Sequence, residues 1–215
     1  MRRAANPWDR YYRQHESPWR GEREVAEILP WLGDGPVLEL GCGNGKTLKP
    51  LAAAGVDVVG LDISWHILRR HPAKGRLVLG DAAALPFRDA AFTAVLDIHC
   101  TGHLDAAGRA SAAAEIQRVL QPGGHAVAER LTPNDLRAGQ GSEVPGEPGM
   151  RAVQDGRQTQ FSTAASLVQE YTAAGLVAVG GLEERHHPGH RGRQVTRESA
   201  RVLFERPERP DVRLP

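Results

Sequence analysis

The 215 residues carry 27 lysines and arginines against 26 acids, a formal net charge of +1, so no overall field draws the chain to nucleic acid or to an anionic membrane. Two cysteines, Cys42 and Cys100, without CxxC spacing exclude a disulfide framework or a cysteine-built zinc cluster and fit a reducing compartment. No apolar run is long enough to span a bilayer, and the basic start MRRAANPWDRYYRQHESPWR has no apolar signal core, so a cytoplasmic protein without a membrane partner is expected.

In chain order, residues 1–30 hold more aromatics than a solvated tail needs: Trp8, Tyr11, Tyr12 and Trp19. They are expected to pack as a lid that expels water from a site beneath, or as a helix docked on the sheet. The main domain is expected over 31–215. From Pro36, apolar runs bounded by Gly, Asp or Pro read as strands: VLEL (37–40), VDVVGLD (56–62), RLVLGD (76–81), TAVLDIH (93–99) and HAVAER (125–130). Between them Leu48, Leu51 and Ala52 make a helical stripe that Gly55 stops, and Ile116, Val119 and Leu120 make another before Pro122-Gly123-Gly124. This alternation predicts an α/β fold, a three-layer Rossmann-like sheet of about seven strands, mostly parallel, with helices on both faces and right-handed crossovers.

Residues 132–160 are rich in proline and glycine and poor in large apolar side chains, which predicts a mobile insertion. A helix then resumes with Ser162 as its expected N-cap, Leu167, Val168 and Tyr171 on one face, and Gly175 as its stop. LVAVGG (176–181) and ARVLFER (200–206) are expected to close the sheet, antiparallel at its edge.

The first strand runs into LELGCGNGKT. A phosphate-cradling loop of the Walker type needs a glycine, four residues and then Gly-Lys-Ser/Thr. Leu40 stands where that first glycine belongs, so the ring is short and an ATPase is disfavoured. A dinucleotide fingerprint would need a glycine where Lys46 stands. What remains is E-x-G-x-G-x-G, an acid, Glu39, with Gly41, Gly43 and Gly45 behind it. Such a loop lets backbone lie close against a cofactor that brings no phosphate.

These residues resemble the class I S-adenosylmethionine-dependent methyltransferase superfamily, type 11 domain, over roughly residues 36–130. VLELGCGNG is similar to its first motif, and LPFRDAAF and RVLQPGG to its flanking signatures. The resemblance implies S-adenosylmethionine as cofactor, with Asp62 on the ribose hydroxyls, Ile63 beside it, and the Asp81 carboxylate and Ala82 amide on adenine. It implies further that Glu39 and the 41–45 loop meet the methionine end. Thr93 stands where the family usually shows Asp, which touches a contact at a strand start. W-D-x-x-Y followed by P-W, together with VLDIHCTGHL, resembles the thiopurine and tellurite-resistance branch, whose acceptors are small.

Methyl transfer is an in-line displacement in which positioning supplies most of the rate. A base is needed only where the acceptor must lose a proton. Asp97, His99 and His103 cluster after the fourth strand. His103 and Asp97 are the catalytic candidates, Asp97 also a cofactor contact, and Trp8, Tyr12, Trp19, His99 and His103 the groups expected to face a small-molecule acceptor. A strand-end histidine also serves often as a bonded structural group.

GCGNGK followed by DAAALPFRDAAF resembles wobble-uridine tRNA methyltransferases as well, with Arg185, Arg191, Arg193, Arg197, Arg201 and His186, His187 and His190 available for phosphates. That tract has no interleaved aromatics for base stacking. Nucleic acid or protein is therefore the alternative acceptor, and a binding module without turnover a second alternative. HHPGH with Glu183 and Glu184 matches no standard ligand spacing, and no metal is expected.

Overall fold

The strand Val37–Leu40 (β1) is buried at every position, as a parallel strand covered on both faces must be. A computed structural model of the chain describes residues 6–15, 21–71, 76–187 and 197–208, with the backbone alone for 182–187. Around β1 are Val58–Asp62 (β2), Leu77–Leu79 (β3), Phe92–Ile98 (β4) and Leu120–Leu131 (β5), all parallel. With Val177–His187 (β9) and Arg197–Glu205 (β10) they form a seven-stranded sheet in the order β3-β2-β1-β4-β5-β10-β9. β10 pairs antiparallel with both neighbours, so the reversed strand lies one in from the edge. Strand order reverses beside β1, and in such sheets a ligand crevice opens above the carboxyl ends at that point.

The period-two alternation of each strand divides the core in two. Leu38, Leu40, Val95, Ala126 and Ala128 join a cluster with Ile116 of Ala106–Val119 (α4) and Leu167 and Tyr171 of Ala164–Ala173 (α5). Val37, Ala94, Leu96 and Val127 turn the other way. They meet Tyr12 of Pro7–Gln14 (α1), Leu48 and Leu51 of Leu48–Ala53 (α2) and Ile67 of Trp65–Leu68 (α3). The cap of α5 is Thr163, whose hydroxyl accepts from the Ser166 N–H at 3.2 Å. The expected cap, Ser162, instead ties its own N–H to the Leu131 carbonyl at 2.8 Å.

Thr93 donates its hydroxyl to the Leu32 carbonyl at 2.8 Å and lies 3.2 Å from that of Pro36. The strand-start contact is therefore made by a hydroxyl where the family uses a carboxylate. The segment expected as an irregular insertion holds Ser142–Val144 (β6), Glu147–Ala152 (β7) and Gln158–Gln160 (β8), a small antiparallel sheet. Its turns use Gly146 and Gly156 at φ 81° and 86°, where a side chain would be strained. Met150 and Phe161 are buried beneath it. Trp19, His190, Arg191 and Arg193 lie outside the described residues, as do the side chains of Glu183, Glu184, Arg185, His186 and His187.

Candidate active site above the carboxyl ends of β1, β2 and β4

The glycine loop after β1 is closed by tight contacts. A Cβ on Gly41 would stand 2.8 Å from the Cys100 sulfur, and one on Gly43 3.1 Å from the Tyr12 hydroxyl; both glycines have positive φ, 62° and 51°. Gly45 packs as tightly against His71. The Gly43 N–H donates to Asp62 Oδ2 at 2.9 Å, and Ser64 N–H donates to Asp62 Oδ1 at 2.9 Å. Burial lifts the Asp62 carboxyl above its ordinary range, against the N–H donors of Ser64, Gly43 and Ile63. A carboxylate offers about four lone-pair sites; with these three donors on it, Asp62 keeps one for a ligand.

Asp81 accepts from Ala83 N–H at 3.0 Å in a half-buried turn after β3, with Ala82 buried behind it. Burial first, then the charges of Asp97, Asp62, Asp81 and Glu39, push the Cys100 thiol up. Those acids, each at a different strand end, thus all lie within electrostatic reach of that thiol. Glu39 is 4% exposed and its Oε2 has no hydrogen-bond partner. Burial raises its carboxyl to about 8, with Thr47 and Arg23 opposing.

Helix α1 forms the roof. Asp9, in its first turn, accepts from the Ser64 hydroxyl at 2.7 Å and from His66 N–H at 3.2 Å. Burial would raise its carboxyl, but those bonds outweigh it and hold it low. Through Ser64 the helix is joined to the tip of β2. From the other side the Arg157 guanidinium lies 3.7 Å from the Tyr11 ring centre and 5.2 Å from that of Trp8. Trp8 in turn sits edge-on to His103 at 4.5 Å.

The tip of β4 sends its polar groups to opposite faces. Asp97 pairs in register with Leu40 and Ala128, both in the α4–α5 cluster. There its carboxylate accepts from Thr101 N–H at 2.9 Å, Cys100 N–H at 3.2 Å and the Tyr171 hydroxyl at 2.5 Å, and also from the Thr101 hydroxyl. Arg130 joins the same group through Thr101 and Glu170. His103 sits in the turn that Asp97 holds, its Nδ1 2.6 Å from the Gln158 carbonyl. Burial depresses its ring to about 4. His99 has φ 61°, and its Nε2 lies 3.2 Å from Glu129 Oε1. Glu129 is also bonded to Arg23 at 3.0 Å, Ser199 at 3.1 Å and Arg201 at 2.8 Å. Burial would raise this carboxyl, yet His99 and the two arginines hold it far below the usual range.

The site thus brings together Glu39, Gly41, Gly43, Gly45, Asp62, Ile63, Asp81 and Ala82, with Trp8, Tyr12 and His103 above. Asp97 faces away from Glu39 across the sheet. Sequence reasoning missed the roles of Asp9, Arg23, Glu129, Arg157 and Tyr171; of these Asp9 carried a local signal, inside W-D-x-x-Y, and so did Glu129, as a polar residue inside the apolar run HAVAER.

Residues 38–128 match the methyltransferase domain family. They form a class I methyltransferase domain. The chain is 32% identical over 179 residues to a malonyl-[acyl-carrier protein] O-methyltransferase of Erwinia pyrifoliae, covering 79% of this chain and 62% of that one. It is 40% identical over 113 residues to a demethylmenaquinone methyltransferase of Renibacterium salmoninarum, covering 51% and 46%. The chain spans about half the length of the curated relatives it matches. Among solved structures, the fold is shared with a methyltransferase of Methanosarcina mazei at a TM-score of 0.73 and 18% identity, over 87% of this chain and 100% of that one. It is shared also with a didemethyltoxoflavin N1-methyltransferase of Burkholderia thailandensis, solved with S-adenosylhomocysteine, at 0.65 and 18%, over 97% and 93%.

Around the methyltransferase domain's site, no group of three or more His, Cys, Asp or Glu among the described residues is arranged to hold a metal. No helix among them is long and apolar enough to cross a membrane. Of the arginines considered for phosphate contact, Arg201 is buried and committed to Glu129 and Glu27.

Proposed function

We propose that this chain transfers a methyl group from S-adenosylmethionine to a small-molecule acceptor. The observation that carries the reading is the bond from Gly43 N–H to Asp62, which joins the glycine loop and the tip of β2 into one cradle. The residues fit the cofactor at both ends. At the nucleoside end, Asp62 keeps a lone pair for the ribose hydroxyls, Ile63 flanks them, and Asp81 with the Ala82 amide reads the exocyclic amine and ring nitrogen of adenine. At the other end, the unpartnered oxygen of Glu39 suits an ammonium group, which the loop's glycines admit to close range. When bound, the cofactor supplies a methyl carbon activated by sulfonium charge.

The chain's own residues then position and enclose. Trp8 and Tyr12 cover the loop and exclude water, with Arg157 holding α1 down. His99 and His103 face the acceptor. His103 Nδ1 carries its proton toward the Gln158 carbonyl, an assignment made from that bond. Its low pKa keeps the ring neutral, a polar wall for the acceptor. Asp97, saturated by Thr101, Cys100 and Tyr171, positions the turn that carries His103 and does not touch the cofactor. The relatives' names, a demethylmenaquinone methyltransferase and a malonyl-[acyl-carrier protein] O-methyltransferase among them, support a small-molecule class.

Tritium-labelled cofactor supplied with a small-metabolite extract and with bulk RNA, side by side, tests the assignment. Label is expected in the metabolites. Label confined to RNA contradicts the acceptor class.

A further inference from the structure

Alternation along β4 places Ile98 in register with Glu129, on one face of the sheet, so a continued strand would send His99 to the other. His99 instead takes φ 61°, a left-handed conformation uncommon for a residue with a side chain and characteristic of functional sites. The turn brings its imidazole back to the Glu129 face, Nε2 to Oε1 at 3.2 Å. Glu129 is held in place by Arg23, Ser199 and Arg201 from two further elements. The second ring nitrogen, Nδ1, is buried and has no hydrogen-bond partner, where buried polar atoms are as a rule paired.

We propose that His99, oriented by Glu129, is the general base of the reaction and that the acceptor is one that must lose a proton, a hydroxyl or a carbon acid. This rests on the methyltransferase reading above. The carboxylate accepts the Nε2–H and so fixes the tautomer that leaves a lone pair on Nδ1. In the transfer, Nδ1 takes the acceptor's proton while the acceptor's electron pair bonds the methyl carbon. The sulfur–methyl bond breaks with its pair going to sulfur, which becomes a neutral thioether. The imidazolium so formed faces Glu129, whose charge stabilises it. Arg23 and Arg201 lie behind Glu129, Lys46 also feels its charge, and His103 is a further titratable neighbour. Burial depresses the His103 ring to about 4, which makes it a poor proton acceptor near neutral pH.

Three measurements on the full chain test this. In the first, 15N NMR of histidine-labelled protein is expected to show His99 as the Nε2–H tautomer, and an Nδ1–H tautomer overturns the proposal. In the second, His99→Gln is expected to lower methyl incorporation from labelled cofactor into a small-metabolite extract by about a hundredfold or more. S-adenosylhomocysteine affinity should stay within about twofold. Incorporation within about threefold of the parent overturns the proposal. In the third, the labelled product is expected to be an ether or a carbon-methylated compound that survives mild alkali. A base-labile methyl ester overturns it, because a carboxylate acceptor needs no base. Failure of the parent protein to bind S-adenosylhomocysteine is a separate result, and it overturns the methyltransferase reading itself.

Discussion

Glu39 sits where burial and ligand charge compete. Its folded carboxyl is raised from the ordinary 4.5 to about 8 by desolvation, ahead of the lowering from Thr47 and Arg23. The stability it contributes is therefore complete below pH 4.5 and lost as pH rises through about 8. If an ammonium group arrives beside it, the carboxyl must ionise. Calorimetry at pH 7 in buffers of different ionisation enthalpy is expected to show about one proton released per S-adenosylmethionine bound. Glu39→Gln should abolish that release, and a parent protein that releases none contradicts the assignment. His103 runs the opposite way. Burial lowers it from 6.5 to about 4, so its contribution is present above pH 6.5 and lost as pH falls through about 4. His103→Gln should flatten that part of the acid limb in a pH series of denaturant melts, and an unchanged limb places the lost stability elsewhere.

Among elements, α1 meets the β7–β8 turn through Arg157, stacked over the Tyr11 and Trp8 rings, and through Arg10, which donates to the Asp155 carbonyl at 3.5 Å. A cation over an aromatic ring is worth about 0.5–2 kcal/mol, so Arg157→Ala should speed amide exchange in α1 by about tenfold, with little change in the melting midpoint of the sheet. Unchanged exchange in α1 means that its other contacts, Asp9 with Ser64 and Arg10 with Asp155 among them, hold the roof. On the other face, Tyr171→Phe leaves Asp97 short of a donor and should cost about 1–3 kcal/mol in urea unfolding. S-adenosylhomocysteine affinity should stay within about twofold. A collapse of that affinity instead makes Asp97 a cofactor contact. From the sequence Asp97 is expected beside the cofactor with Glu39; the β1–β4 register sends it the other way, since Leu96 shares its side with Glu39 and Asp97 must part from Leu96. The small sheet β6–β7–β8 was not legible, because glycine-rich sequence with few apolar residues gives no periodic signal. Its order comes from docking, Met150 and Phe161 underneath and Arg157 and Gln158 at the roof.

For the whole molecule, the parallel sheet and the crevice at its order reversal were legible because both are written in short local runs, VLEL before the glycines and VVGLD before the Ser64 turn. The acids that converge at the carboxyl ends were legible for the same reason. The ion pairs on Glu129 were not, since Arg201 stands 72 residues and Arg23 106 residues away, and no local pattern announces such a partner. Lys46 stood out only as a misfit to phosphate-loop patterns; in the fold it sits beside Arg23, whose N–H donates to its carbonyl at 3.0 Å. Burial and the charges of Arg23 and Arg197 hold its ammonium below the ordinary lysine range, with Glu129 opposing. The proposed cofactor site is thus set by local sequence, and the proposed acceptor site by contacts made across the whole chain.

Titration calorimetry of S-adenosylhomocysteine into the parent protein and Asp62→Ala tests the central claim most directly. Stoichiometric binding is expected for the parent, weakened about tenfold or more in the variant through loss of charge-assisted bonds to the ribose. No binding to the parent, or equal affinity in the two proteins, contradicts the claim that the tip of β2 and the glycine loop form one nucleoside cradle.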